Sequence, residues 1–290
     1  MSVLVKSVSQ ELPVLIAGPT ASGKSALAME LAARDGRVIV NADALQVYDC
    51  WRVLSARPSL ADDAAASHAL YGHIGRHDPY SVGHWLRDVQ DFLDRPVVIV
   101  GGTGLYFAAL TRGLAQIPAT PAGVRHEADM RMADTGFAAL LAELDAATAA
   151  RIDTANPVRV QRAWEVLRAT GRGLADWQDS TGPAVLPRID CEALVIIPEV
   201  PWLNARIDAR FAAMIKTGAL DEVRAALPHW QPNQPWARAI GAPELIAHLR
   251  GDIPLDHAVQ AATLASRQYA KRQRTWFRSQ MKDWRQVSLP

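Results

Sequence analysis

The 290-residue chain is 49% hydrophobic and 21% charged with a formal net charge of +1, a balance that allows a sizeable buried core and excludes intrinsic disorder. Its two cysteines, Cys50 and Cys191, lie far apart and match no metal-ligand or redox spacing, which excludes a disulfide framework and predicts reduced thiols. No segment approaches the roughly 20 apolar residues of a membrane helix, and the first residues lack the pattern of a signal peptide; a cytoplasmic location with no membrane partner is expected.

Residues 14–17 form the first aliphatic run. Every position is apolar rather than every second one, so it reads as a parallel strand buried on both faces. Gly18-Pro19-Thr20-Ala21-Ser22-Gly23-Lys24-Ser25 follows, and a helical pattern carrying Ala26, Leu27, Met29 and Leu31 comes next. Residues 38–40 predict a second strand, running into Asn41-Ala42-Asp43. Residues 97–100 predict a third, running into Gly101-Gly102-Thr103-Gly104. Between Pro118 and Pro187 the strand signal disappears and Ala-, Leu- and Arg-rich helical stretches follow one another. After a fourth strand at 194–197 the chain reads as helical to its end, punctuated by Gly and Pro. This alternation predicts an α/β fold: a P-loop NTPase-like parallel sheet flanked by helices and built from right-handed crossovers. Residues 1–117 and 189–290 form its core, and 118–188 an all-helical insertion.

The stretch 18–25 fits G-x-x-x-x-G-K-[ST] in its required strand–loop–helix context. Glycines let the backbone curl so that its N–H groups meet an anion at a helix N-terminus. Lys24 adds a full charge, and the Ser25 hydroxyl is placed to ligate magnesium. A polyphosphate or diphosphate ligand is therefore expected. Nucleotide hydrolysis is not, because it calls for a carboxylate after a second core strand, and the run 97–100 ends in glycines and a threonine instead. Asp43 is the only acid directly after a core strand. At the C-terminal edge of a parallel sheet it would lie beside the P-loop, as a magnesium ligand, a general base, or simply a helix-capping or solvated acid.

Charge is unevenly spread. Between 266 and 285, Arg267, Lys271, Arg272, Arg274, Arg278, Lys282 and Arg285 face only Asp283, so the segment is +6 and the remainder −5. Tyr269, Trp276, Phe277 and Trp284 are interleaved with these residues. That spacing suits stacking on nucleic acid bases and equally a core face beneath a basic outer face. The second reading is preferred for the aromatic residues, and an RNA-facing one for the basic residues.

Taken together, GPTASGKS at 18–25, NADALQVY at 41–48, GGTGLYF at 101–107, NPVRVQRAWEVLRATGR at 156–172, ARIDARFAAMIKTGALDEV at 205–223, RAIG at 238–241 and RQYAKRQRTWFR at 267–278 resemble the transfer RNA dimethylallyltransferases, or isopentenyltransferases. The matches keep one order across nearly the whole chain. The resemblance implies transfer of a dimethylallyl group from dimethylallyl diphosphate to the N6 amine of the adenosine 3′-adjacent to the anticodon. The acceptors would be tRNAs reading codons that begin with uridine, with Mg2+ as cofactor and no obligatory protein partner. It implies that Asp43 is the general base, that Thr20 and Thr103 lie near the reacting groups, and that Lys24, Ser25 and Arg206 or Arg210, with Arg210 favoured, serve the diphosphate. Without the family, those arginines read as solvated helix charges.

RNA contacts are implied at Asp43, Ala44, Leu45 and Gln46, at Thr103 and Arg125, at Val158, Arg159, Val160, Gln161 and Arg162 in the insertion, and at Arg238, Ala239, Ile240 and Gly241. The last implied stretch is Lys271, Arg272, Gln273, Arg274, Thr275, Trp276, Phe277 and Arg278. A base within a stem-loop must leave its stack to be alkylated, so such contacts have energy to supply. The sequence departs from the family at Arg57, where lysine is usual, and at Ala242-Pro243, where an aromatic and a basic residue are usual. A P-loop kinase of a small metabolite leaves the basic C-terminal segment unexplained. A prenyltransferase of free adenine nucleotide leaves the Arg-rich insertion unexplained, and a non-catalytic RNA-binding module leaves Lys24, Ser25, Asp43 and Thr103 without a purpose.

Overall fold

A computed structural model describes residues 3–288. In chain order the elements begin α1 (Val3–Lys6), β1 (Val14–Ala17), α2 (Lys24–Asp35), β2 (Val38–Asn41), α3 (Leu60–Ala65), β3 (His68–Ala69), α4 (Val82–Asp88), β4 (Val97–Gly101) and α5 (Gly104–Arg112). Helices α6 (Ala122–Asp134), α7 (Phe137–Ala142), α8 (Ala146–Arg151), α9 (Pro157–Thr170) and α10 (Leu174–Asp179) follow without a strand between them. The chain then makes β5 (Glu192–Ile196), α11 (Val200–Lys216), α12 (Ala219–Ala226), α13 (Ala242–Leu249), α14 (Leu255–Gln280) and β6 (Arg285–Val287).

The chain divides into two compact units, 112–185 and the remainder. In the larger, all six strands pair in parallel in the order β3-β2-β4-β1-β5-β6. The aliphatic runs that signal β1 and β4 are buried along their whole length, as parallel strands covered on both faces must be. Leu27, Ala28 and Leu31 of α2 pack with Val14, Ile16, Val98 and Val100 of the sheet, which anchors the P-loop between two rigid elements. Gly36 closes α2 in the left-handed conformation at φ +68, its N–H bonded to the Ala32 carbonyl.

A second apolar cluster joins Trp51, Trp236, Phe211 and Leu245, with the Trp51 indole N–H donating to the Trp236 carbonyl at 2.8 Å. Ala242 and Pro243 stand in the first turn of α13, where proline has no hydrogen bond to lose. Arg57 donates to the Tyr48 and Asp49 carbonyls at 3.1 and 3.2 Å and lies against Gly72.

The C-terminus corrects one expectation. The chain is not helical to its end, because β6 follows α14 and pairs with β5. Strand β3 has no signal in the sequence either. Both are short edge strands, and two of the three β6 residues are exposed, so neither presents an apolar run.

In the smaller unit, Ala128, Leu140, Val160 and Trp164 make a core of their own. Asn156 caps α9 by accepting from the Val158 and Arg159 N–H groups, and Pro157 occupies the first helical turn. The unit ends at 112 and 185, not at the prolines bounding 118–188; beyond it, the Leu186 N–H bonds the Leu110 carbonyl at 3.0 Å.

Candidate active site

The strand order brings three loops together at the C-terminal edge of the sheet. β4 lies between β1 and β2, so the Gly102-Thr103 loop separates the P-loop from the loop carrying Asp43. This is where ligands bind in open α/β sheets.

The P-loop turns through Ala21 at φ +63 and Gly23 at φ +90. Glycine adopts the second without cost, whereas alanine in this region carries strain of the kind that persists at functional sites. The buried Ser22 hydroxyl has no hydrogen-bond partner among the described residues. Around the turn lies a cavity of about 530 Å3, lined by residues 21–26 with Ala56, Arg206, Ala209 and Arg210. Among the described residues, no carboxylate lines it. Lys24 is half-buried, its ammonium 3.3 Å from the Pro19 carbonyl. Burial lowers its pKa to about 8, partly offset by the charge of Asp43 and reinforced by that of Arg210.

Helix α11 supplies Arg206, Ala209 and Arg210 to the lining of this cradle. Leu203, Ile207 and Phe211 face inward, which turns Arg206 and Arg210 toward the loop. Arg206 donates to the Ala21 carbonyl at 3.0 Å and stacks over Trp202, while Arg210 reaches the Thr20 hydroxyl at 3.5 Å. Burial pulls the Arg210 pKa below its ordinary value, against the opposing charge of Asp43.

A smaller cavity of about 70 Å3 adjoins the same residues. Its polar lining includes Thr20, Asp43, Arg210 and Tyr269, and its apolar lining Leu45, Leu54, Ile207, Phe211, Met214 and Ile240. Arg210 and Ala21 line both cavities, so anion cradle and apolar pocket meet at that point. Asp43 is held by its own loop: its N–H bonds Asn41 Oδ1 at 2.8 Å and its carboxylate accepts the Leu45 N–H at 3.0 Å. The Thr103 hydroxyl accepts the Ala44 N–H at 2.9 Å, and the Thr103 N–H bonds the Ala42 carbonyl at 3.1 Å.

The glycines at the end of β4 and just beyond it permit this packing. A Cβ on Gly101 would stand 2.0 Å from the Ala42 carbonyl oxygen, one on Gly102 2.2 Å from Gln273 Nε2, and one on Gly104 2.2 Å from the Trp276 ring. Gly241, at φ +94, likewise leaves room for Phe211 and Leu54.

The structure thus gathers Thr20, Lys24, Ser25, Asp43, Thr103, Arg206 and Arg210 at one edge, whereas several implied RNA contacts are not surface groups. Gln273 is 5% exposed and both ends of its amide are bonded internally. Phe277, Val160 and Ala239 are buried in apolar surroundings, which leaves their side chains nothing to offer a polyanion. Gln46 spends its amide N–H groups on the Ser55 and Ala56 carbonyls. Trp276 is half-buried against Gly104, and Trp284 is buried beside Phe107, in keeping with the core reading of these aromatics.

Tyr269 departs from that reading. It lines the smaller cavity beside Asp43 and Thr20, and burial raises its phenol pKa. The basic residues behave differently, for Lys271, Arg272, Arg278 and Arg238 are exposed, as are Arg125, Val158, Arg159 and Arg162 in the helical unit. Arg162 donates to the Thr120 hydroxyl at 2.7 Å, and Gln161 to Asp129 at 2.7 Å. Tyr269, Phe211 and Met214 escape notice as pocket residues in the sequence because an aromatic or aliphatic side chain on a helix reads as core; only the return of α11 and α14 over the sheet edge turns them inward.

Fold and site together define a P-loop-type α/β protein in which a cavity lined by the P-loop and two arginines adjoins an apolar pocket containing a carboxylate. A family model described as IPP transferase matches residues 46–280, and one described as isopentenyl transferase matches 13–67. A tRNA dimethylallyltransferase of Cereibacter sphaeroides (strain KD131) is 66% identical over 286 residues, covering 98% of this chain and 91% of that protein. One from Dinoroseobacter shibae is 61% identical over 288 residues, covering 98% and 97%.

Among solved structures, the tRNA isopentenylpyrophosphate transferase of Bacillus halodurans superposes with a TM-score of 0.68 at 26% identity, covering 96% of this chain and 90% of that one. A eukaryotic dimethylallyltransferase acting on tRNA shares the fold at a TM-score of 0.78 and 21% identity, covering 95% and 73%. The chain belongs to the tRNA dimethylallyltransferase family.

Proposed function

We propose that the protein transfers a dimethylallyl group from dimethylallyl diphosphate to the N6 amine of the adenosine 3′-adjacent to the anticodon, in tRNAs reading codons that begin with uridine. The observation that carries this reading is the junction at Arg210, where an anion cradle lined by cations adjoins an apolar pocket that contains a carboxylate. The P-loop takes the diphosphate and the apolar pocket takes the five-carbon chain. As the allylic C–O bond breaks, its electron pair passes to the diphosphate oxygen, and Lys24, Arg206 and Arg210 stabilise the charge that develops there. The adenine amine forms the new C–N bond and gives its proton to Asp43, whose loop is fixed by Asn41 and Leu45.

The Ser25 hydroxyl oxygen would be the protein ligand to a metal ion in the cradle, since among the described residues no group of three or more His, Cys, Asp or Glu could hold one. That donor set fits magnesium, which keeps water ligands and is commonly shared between a few protein atoms and substrate phosphates. Once bound, magnesium supplies further neutralisation of the leaving group.

The exposed basic face of α14 and the exposed Arg125, Arg159 and Arg162 of the helical unit supply phosphate contacts, so the unit 112–185 serves the RNA. Nuclease mapping of unmodified tRNA after reaction with labelled dimethylallyl diphosphate tests the assignment. The label is expected on the adenosine following the anticodon; label on another base or on the sugar contradicts it.

A further inference from the structure

Gln273 occupies the inner face of α14, while Lys271, Arg272 and Arg278 of the same helix face solvent. Its Oε1 accepts the Thr20 N–H at 2.9 Å and its Nε2 donates to the Gly102 carbonyl at 3.0 Å. One end of the amide therefore holds the P-loop beside the Thr20 hydroxyl that Arg210 reaches. The other end holds the loop in which Thr103, through the Ala44 N–H, adjoins Asp43. Gly102 has no side chain in the way: a Cβ there would lie 2.2 Å from Nε2 and 3.1 Å from the Asp43 carboxylate. Tyr269, one turn earlier on α14, lines the pocket that Asp43 shares with Thr20.

We propose that Gln273 is a positioning residue for prenyl transfer, tying the diphosphate-holding loop to the Gly102-Thr103 loop, which in turn is bonded to the loop that carries the base. The proposal rests on the assignment of the P-loop and Asp43 to that reaction. Few side chains meet the requirement, which is one donor and one acceptor on a single rigid plane. Glutamate turns a lone pair toward the Gly102 carbonyl, and methionine fills the space with neither a strong donor nor a strong acceptor. Sub-ångström drift between the two loops is enough to slow a reaction that depends on alignment, because a misplacement of about 1 Å costs about 100-fold.

The test compares wild type, Gln273→Glu and Gln273→Met, using labelled dimethylallyl diphosphate and unmodified tRNA. It records kcat and KM for each substrate, the Kd for tRNA by direct titration, and thermal unfolding. The expected result is a fall in kcat of about 100-fold in both variants, with tRNA Kd within about twofold of wild type and folded protein retained. A further signature separates the two variants. Burial raises a carboxyl pKa, and once protonated the carboxyl of Gln273→Glu again offers one donor and one acceptor. Activity of Gln273→Glu relative to wild type should therefore rise as pH falls, whereas Gln273→Met stays flat. The charged and titratable groups facing the site, Asp43, Lys24, Arg210 and Tyr269, are common to all three proteins, so dividing by wild type at each pH isolates the effect of the substitution. Weakened tRNA binding with kcat unchanged would make Gln273 an RNA ligand and overturn the proposal, as would a loss matched by loss of folded protein in both variants without recovery at low pH. Transfer by wild type with both variants unimpaired overturns the proposal alone. No transfer by wild type overturns the reaction assignment and the proposal with it.

Discussion

Lys24 carries the most pH-sensitive charge in the cradle. Its ammonium is held down to about 8 by burial, despite help from Asp43. The sign follows directly: below pH 8 the free protein presents a cation to the diphosphate, and as pH rises through 8 it presents a neutral amine. The Kd for dimethylallyl diphosphate, measured by titration, should increase above pH 8. Lys24→Met should bind about 10- to 100-fold more weakly at pH 7, the worth of a charge-assisted hydrogen bond, and should lack that rise. A wild-type Kd flat from pH 7 to 9 would contradict the assignment of Lys24 to the anion. Arg210 cannot be replaced conservatively by lysine on this geometry, because it reaches the Thr20 hydroxyl and also borders the second pocket.

At the scale of elements, the four aliphatic strands and the P-loop are legible in the sequence because a strand buried on both faces must be apolar at every position and a phosphate loop must have its glycines. What stays hidden depends on where distant elements return. Gln273 reads as one polar residue in a basic helix; its burial becomes visible only when α14 lies across the Gly102 loop. Gly104 shows the same dependence. Alanine for glycine within an exposed helix stabilises by about 0.5–1 kcal/mol, but a Cβ on Gly104 would stand 2.2 Å from the Trp276 ring. Overpacking of that kind costs about 1–3 kcal/mol, so the sign reverses. Gly104→Ala should lower Tm by about 2–5 °C in calorimetry. An unchanged or raised Tm would show that Trp276 is free to move aside.

At the scale of the whole molecule, a net charge of +1 conceals a segment of +6 between 266 and 285. Not all of it is available to a partner, since Arg267 pairs with Asp208 and Arg285 with Glu192. Lys271, Arg272 and Arg278 are exposed on α14 and are the residues expected to meet phosphates. Replacing any one by alanine should weaken tRNA binding. It should also reduce the slope of log K against log salt by about 0.7–0.9 for each phosphate that is no longer neutralised. An unchanged slope in all three variants would place the RNA elsewhere. The concentration of charge is legible in the sequence, but the division into ion-paired and solvated arginines is not, because their acidic partners lie on other elements.

The most direct test of the account is incorporation of radiolabelled dimethylallyl diphosphate into unmodified tRNA with magnesium, run beside free AMP and the Asp43→Ala variant. Label in RNA only, reduced by about 100-fold or more in the variant, is the predicted result. Label in AMP but not in RNA, or no label in either from folded protein given suitable tRNAs, would contradict it.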